Sequence, residues 1–289
     1  MKILIFGKTG QVAFELSNAL SDLHEITFLG RDDLDLSYPN LCQKKILDYS
    51  PDIIINAAAY TNVDKAESEE ELATRINGYS PAEMALASSQ LNIPMIQIST
   101  DYVFSGEGCD SWNEESPTDP LGAYGRSKLI GELAVLKASK SNIILRTSWI
   151  YSATGSNFLK KMMELSEDNL ELSVVSDQIG APTSARDIAN AIVIIAESVT
   201  AKRRGGGVYH FASNGCLSWA DFARKIFSET GKETQVKDIL SCNYPTKAKR
   251  PKNSKLNCLK IFNHYGITQP QWDESLLIVL NQLKKKNEK

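Results

Sequence analysis

The sequence predicts an α/β protein built on a Rossmann-like doubly wound parallel sheet, with a smaller C-terminal substrate-binding lobe. Three observations predict it. Short β-branched runs recur along the first half, helical patterns lie between them, and a glycine-rich turn follows the first run directly. Strands that are apolar at successive positions, rather than at every second one, are buried on both faces, as parallel strands are. Alternation of strand and helix then gives right-handed crossovers that cover both faces of the sheet.

The first strand is "KILIF", and Val12, Leu16, Ala19 and Leu20 after it repeat at helical spacing. "EITFL", "DIIINAA", "MIQIST" and "NIILRTSW" supply four more strands, with similar helical stretches between them. Past about Tyr151 the alternation becomes less regular, and Gly205 to Gly207 and "NYPTKAKRPKNSKLN" punctuate it as loops. We therefore expect a dinucleotide-binding domain over residues 1–150, with some later segments returning to it, and a mainly substrate-binding lobe over 151–289.

Composition narrows the function classes. The chain has 289 residues, 42% hydrophobic and 23% charged, enough length for a large core. A net charge of −3 provides no global positive field to recruit nucleic acid or an anionic membrane, so neither is expected as a partner. The lysines between Lys247 and Lys255 and in the terminal "LKKKNEK" read as solvated faces. Cys42, Cys109, Cys216, Cys242 and Cys258 are odd in number and scattered, and His24, His210 and His264 are far apart, so neither a disulfide framework nor a metal site is suggested. "MKILIFG" enters the first strand without a leader pattern, and the apolar "IANAIVIIA" is too short to span a bilayer. A reducing cytoplasm is the expected compartment.

The turn after the first strand reads Gly7-Lys-Thr-Gly10-Gln-Val-Ala13. At that place Gly7 permits a tight turn, Gly10 lets backbone approach a pyrophosphate at a helix N-terminus, and Ala13 allows close helix packing. The second strand ends in Gly30-Arg31 rather than in an acidic residue. An arginine there pairs with a 2′-phosphate and favours NADPH, with NADH as the second possibility; alternatively, Arg31 pairs with Asp32 or Asp33. "NAAAYTNVDKAE" and "STDYVF" follow the third and fourth strands, at the strand ends where ligands sit in an open α/β sheet.

In "AYGRSKL" a tyrosine and a lysine, Tyr124 and Lys128, stand four residues apart and share one helix face. Thr100 closes the fourth strand shortly before them. A free phenol has a pKa of roughly 10. An ammonium at about 4 Å favours phenolate by ~4 kcal/mol at an effective dielectric near 20, before desolvation. Thr100, Tyr124 and Lys128 thus form a proton-transfer device for carbonyl–alcohol chemistry, with Lys128 also bonding the nicotinamide ribose and Thr100 holding the substrate oxygen.

These motifs, together with "RTSWIY", "DQIGAPTSA" and "RPKNSKLN", resemble the dTDP-4-dehydrorhamnose reductase family, extended short-chain dehydrogenase/reductases, from Met1 to about Trp272. The resemblance implies reduction of the C4 ketone of dTDP-4-dehydro-L-rhamnose with NAD(P)H, the last step in making dTDP-L-rhamnose. It implies that Thr100, Tyr124 and Lys128 are catalytic. Gly7, Thr9, Gly10, Gln11, Val12, Ala58, Ala59 and Lys128 would contact the cofactor, with Asp35 and Leu36 beside the adenine. Thr61, Val63, Asp101, Tyr102, Trp149 and the loop Gly180, Ala181, Pro182 and Thr183 would line the sugar pocket. Trp149 has a second reading as a core aromatic. Some members bridge a magnesium ion with acidic side chains at a dimer interface. Here Glu15 is available, but Arg186 stands after "APTSA" and repels a divalent cation, so no metal is expected. The chain is expected to be a monomer or a homodimer.

Two rivals remain. Dehydratases and epimerases of this fold share the Thr-Tyr-Lys set but return the hydride, and a dehydratase also needs an Asp-Glu pair after the threonine. In this chain Asp101 is followed by Tyr102, which favours net reduction. A non-catalytic regulatory subunit, such as the relative found in methionine adenosyltransferase, keeps the fold without needing a proton donor.

Overall fold

A computed structural model describes residues 1–20, 24–201 and 205–287. The last two residues of "LKKKNEK" lie outside it. The chain begins β1 (Lys2–Phe6), α1 (Gln11–Ala19), β2 (Glu25–Leu29), α2 (Asn40–Tyr49) and β3 (Ile53–Asn56). Two short helices, α3 (Val63–Ala66) and α4 (Glu70–Thr74), lead through a π-turn (Arg75–Tyr79) into α5 (Ser80–Leu91) and β4 (Met95–Thr100). A 3-10 turn (Asp101–Val103) precedes α6 (Ala123–Ala138), β5 (Ile143–Thr147) and β6 (Ile150–Tyr151). Then come α7 (Phe158–Asp168), β7 (Glu171–Val175), β8 (Ile179–Gly180), β9 (Thr183–Ser184), α8 (Ala185–Thr200) and β10 (Gly207–His210). The chain closes with β11 (Leu217–Ser218), α9 (Trp219–Thr230), β12 (Gln235–Ile239), α10 (Leu259–Tyr265) and α11 (Trp272–Asn287).

Six strands form one parallel sheet in the order β10-β5-β4-β3-β1-β2. Successive side chains on a strand point to opposite faces, so a run of isoleucines feeds two layers at once. Ile3, Ile5, Ile53, Ile55, Ile96, Ile98, Ile143 and Leu145 pack toward α1 and α8, against Leu16, Ile188, Ile192 and Ile195. Leu4, Phe6, Ile54, Met95 and Ile144 pack on the other face against Ile46, Met84 and Val135 of α2, α5 and α6. The five strands expected from sequence are the five central and flanking ones, and "IANAIVIIA" is the buried face of α8. Beyond them, "GVYH" adds β10 at the edge beside β5, so α8 and β10 are later segments that return to the first layer. Among the described residues no helix is long and apolar enough to cross a membrane.

A separate cluster gathers Tyr151, Leu159, Met162, Phe222, Ile226, Leu276, Val279 and Leu280 from β6, α7, α9 and α11. Small two-stranded pairings fasten this part: β7 with β12, β8 with β11, and β6 with β9. The binding crevice follows from strand order. The chain leaves β1 toward β2 on one side and toward β3 on the other, and ligands bind at such a reversal, beyond the strand C-termini.

Behind β5, Arg146 and Glu132 form an ion pair with side chains 5% and 1% exposed. The guanidinium donates from Nε at 3.0 and 3.2 Å and from Nη2 at 2.7 Å to the two carboxylate oxygens. Removing one partner of a buried pair strands the other charge in low dielectric. Glu132→Leu is therefore expected to lower unfolding free energy by about 3–5 kcal/mol in urea titrations, with much of it recovered in Glu132→Leu/Arg146→Met. A loss below about 1 kcal/mol would show that Arg146 finds water.

Candidate active site

The glycine turn bends as its residues require. Gly7 sits at φ +102°, and a Cβ there would lie 2.8 Å from the Ala57 carbonyl carbon and the Ala58 nitrogen. Only glycine lets β1 and β3 end this close together. Gly10 is the N-cap of α1 and supplies no side-chain cap, so the first amides of that helix face the crevice unpaired by side chains. A cleft of about 730 Å³ opens there, lined by Gly7, Thr9, Gly10, Gln11, Val12, Arg31, Asp35, Leu36, Ala58, Ala59 and Thr61. These small residues and free helix-end amides fit a dinucleotide. The Val12 side chain is buried in the core, so only its backbone is offered to a ligand.

Arg31 lies at the cleft rim, and its partner differs from the sequence expectation. It pairs with Asp35, one helical-type turn on, at 3.5 Å; Asp33 instead accepts a hydrogen bond from the Gly30 amide at 2.8 Å. The Arg31 side chain is 74% exposed, so its guanidinium is free to swing to a phosphate. The backbone amide of Ser37, with help from Arg31, holds the Asp35 carboxyl below the usual carboxylate range. Wild type is expected to prefer NADPH in kcat/KM, and Arg31→Asp to lose about ten- to a hundredfold of that preference, the worth of one charged hydrogen bond. A wild type that prefers NADH and a variant that changes nothing would reduce Arg31 to the partner of Asp35.

Thr100 ends β4, 6% exposed, and Asp101, 2% exposed, opens the 3-10 turn. The Thr100 hydroxyl donates to Asp101 Oδ1 at 3.0 Å and accepts from the Tyr102 amide at 3.2 Å. Helix α6 then brings Tyr124 onto this turn. A Cβ on Gly125 would lie 2.2 Å from the Tyr102 carbonyl oxygen, so a glycine after Tyr124 is what allows the helix to dock. The Tyr102 and Tyr124 rings meet edge-on, with centroids 5.5 Å apart, and the Thr100 hydroxyl reaches the phenol.

Lys128 lies one turn further along α6, as the spacing predicts, but its charge is directed elsewhere. Its Nζ donates to the Ile98 carbonyl at 2.7 Å, and burial lowers its pKa to about 8 against the pull of Glu132. The expected lowering of the phenol by this ammonium is corrected here. Burial first, and then the Asp101 charge, push the Tyr124 phenol well above its ordinary value. The phenol is protonated at neutral pH at either level, and the rise makes it a weaker acid in the free protein.

The remaining predicted residues divide. Thr61 is exposed in the cleft, and Val63 is half-buried at the start of α3. Trp149 takes a left-handed backbone, φ +51°, and its indole stacks on Trp219 at 3.5 Å between centroids. Its other edge meets Gly180, where a Cβ would lie 2.7 Å from the ring. Such a conformation in a bulky residue stores on the order of 1–3 kcal/mol and gathers at binding sites. Gly180, Ala181, Pro182 and Thr183 are buried. Thr183 spends its hydroxyl inside the fold, donating to the Ala181 carbonyl and accepting from the Ser213 amide. That loop acts here as a wall behind Trp149.

Several residues that build the site are singled out by no pattern in the sequence. Asn77, in the π-turn, accepts from the Tyr60 amide and donates to both the Tyr60 carbonyl and Ser127, whose hydroxyl donates to the Tyr124 carbonyl. Glu67 accepts from the Ala123 amide at 2.8 Å and so caps α6 from another helix. Arg250, within "RPKNSKLN", bonds Asp64 at 2.7 Å and reaches Tyr102 Oη at 3.5 Å. Glu15 is buried beneath Ser152 with Arg186 as a nearby counter-charge, and among the described residues no cluster of three His, Cys, Asp or Glu groups could hold a metal.

Known proteins resemble the chain over almost its whole length. A dTDP-4-dehydrorhamnose reductase of Sinorhizobium fredii (strain NBRC 101917 / NGR234) is 44% identical over 281 residues, 95% of each chain. The crystal structure of a dTDP-4-dehydrorhamnose reductase from Clostridium acetobutylicum ATCC 824 superposes with a TM-score of 0.93 at 36% identity, over 98% of this chain and 100% of that one. That of the Bacillus anthracis str. Ames enzyme, in complex with NADP, gives 0.91 at 34% identity over 97% and 99%. Residues 1–285 match the RmlD substrate binding domain. With that match running almost the length of the chain, the protein belongs to the RmlD substrate binding domain family.

Proposed function

We propose that the chain is an NADPH-dependent oxidoreductase that reduces the C4 ketone of dTDP-4-dehydro-L-rhamnose to dTDP-L-rhamnose. Bound NADPH supplies the hydride. Gly7, Thr9, Gly10, Gln11 and Val12 hold its pyrophosphate on the turn and helix end, Arg31 and Asp35 stand at its adenosine end with Leu36, and Ala57 to Ala59 give it a smooth backbone wall. NADH occupies the same cleft when Arg31 has no phosphate to bind. Thr100 orients the sugar oxygen, Tyr124 gives it a proton, and Lys128 anchors the cofactor ribose. Thr61, Val63, Asp101, Tyr102 and Trp149 form the sugar side, backed by the loop from Gly180 to Thr183, and the lobe after about Tyr151 is the substrate-binding part.

The observation that carries this reading is Thr100 at the C-terminal end of β4 with the half-buried Tyr124 against its turn, on the same sheet whose β1 and β3 ends open into the dinucleotide cleft. A regulatory subunit has no use for a threonine, a tyrosine and a lysine set out for proton transfer. Five free cysteines, three of them exposed, support a reducing, cytoplasmic setting. The test is NADPH oxidation followed spectrophotometrically against a panel of 4-ketosugar nucleotides, with products identified by NMR. Turnover of the dTDP-4-dehydro-L-rhamnose member to the L-rhamno product is expected; binding of a protein partner without turnover would favour the regulatory rival.

A further inference from the structure

Lys8 stands between Gly7 and Gly10 in the first turn and lines the dinucleotide cleft beside Arg31. Its amide donates to the Leu29 carbonyl at 3.2 Å, which ties the turn at this residue to the end of β2. The side chain takes the same direction. A Cβ built on Gly30 would lie 3.5 Å from Lys8 Cβ and 3.6 Å from Lys8 Cδ, so the lysine stem runs along Gly30, one residue before Arg31. Resting on the NADPH reading above, we infer that Lys8 is a second binding residue for the 2′-phosphate, meeting it from the first turn while Arg31 meets it from the end of β2.

The charges at this rim call for a second cation. A phosphate monoester carries about −1.5 to −2 charges at neutral pH. Arg31 shares its guanidinium with Asp35 at 3.5 Å, and the Ser37 amide holds that carboxyl below the usual carboxylate range, so it stays ionised. Asp33 faces the same corner, its Oδ2 accepting from the Gly30 amide at 2.8 Å, and Asp32 is exposed next to it. One arginine among three aspartates offers a phosphate no net attraction. Lys8 shifts that balance, because its side chain is exposed and, among the described residues, no carboxylate lies within ion-pair distance of its ammonium. Such an ammonium is a compact charge with three donors, suited to a phosphate.

The other parts of the cleft have their own partners. The cofactor diphosphate meets the first amides of α1, whose N-cap, Gly10, adds no side-chain cap. Lys65, the remaining cation in the cleft wall, is paired with Glu69 at 2.8 Å. Lys8 is therefore the cation of this cleft that no carboxylate neutralises among the described residues, and its stem points it to the adenosine end.

The test is binding of NADPH and of NADH, followed by nicotinamide fluorescence without sugar, in wild type, Lys8→Met, Arg31→Met and the double variant, each confirmed as folded by circular dichroism. The two nucleotides differ only in the 2′-phosphate. Lys8→Met keeps the stem and is expected to weaken NADPH about ten- to a hundredfold, as loss of a charged hydrogen bond does, while NADH stays within about twofold. The double variant should bind both nucleotides alike, and Lys8→Arg should keep the preference for NADPH. Equal losses for the two nucleotides would place Lys8 on the diphosphate or in the fold of the turn, and no loss for either would make it a solvated side chain; each result overturns the inference. Failure of the NADPH reading itself shows separately, in wild type alone, as tighter binding of NADH or binding of neither nucleotide.

Discussion

Tyr124→Phe is expected to lower kcat by on the order of 10²–10⁴-fold, the usual worth of a positioned acid, while NADPH affinity barely changes. The phenol hydroxyl reaches the Thr100 oxygen, and its proton is needed only as negative charge develops on the sugar oxygen. A loss confined to the transition state lowers kcat and kcat/KM together and leaves binding alone. The ring itself is retained in phenylalanine and keeps its edge contact with Tyr102, so circular dichroism and the melting temperature should stay near wild type. Near-normal turnover in the folded variant would return the Tyr124–Lys128 pair to an incidental helix face.

Lys128→Met is expected to differ in kind, losing both rate and cofactor affinity. Its ammonium is buried and aligned by the Ile98 carbonyl, at the end of the strand that leads into the catalytic turn. A charged hydrogen bond to the ribose is worth about 1.5–3 kcal/mol, which predicts roughly ten- to a hundredfold weaker NADPH binding by fluorescence. The pH dependence adds a sign. With a pKa near 8 in the free protein, Lys128 carries its charge below that pH and loses it above. NADPH affinity of wild type should therefore fall as pH rises through about 8, and the Met variant should lack that step. Equal affinities for the two proteins at neutral pH would remove Lys128 from the cofactor site.

Much of this was legible because it rests on local rules. Isoleucine runs mark strands buried on both faces, Gly7 and Gly10 mark the first turn, and i, i+4 spacing places Tyr124 and Lys128 on one face. The features that escaped depend on distant partners. "GVYH" is only four residues, and its place beside β5 is set by pairing, not by pattern. The π-turn at Asn77 exists because its amide bridges Tyr60 and α6, a long-range arrangement that "RINGY" does not announce. The direction of the Tyr124 shift was inverted because sequence shows the neighbouring lysine but neither the packing that desolvates the half-buried Tyr124 nor the inward carboxyl of Asp101. Arg31 was expected to meet an adjacent aspartate, whereas the bend at Gly30 turns Asp33 to the backbone and leaves Asp35 as its partner.

The central claim is net reduction at C4, and isotopic labelling tests it most directly. With NADPH deuterated at the transferable position of the nicotinamide and dTDP-4-dehydro-L-rhamnose as substrate, NMR of the product should show one deuterium at C4 of dTDP-L-rhamnose for each NADPH consumed. A product without deuterium, formed with no net loss of NADPH, would mean that hydride is taken and returned within the sugar, and the chain would then be an epimerase or dehydratase rather than a reductase.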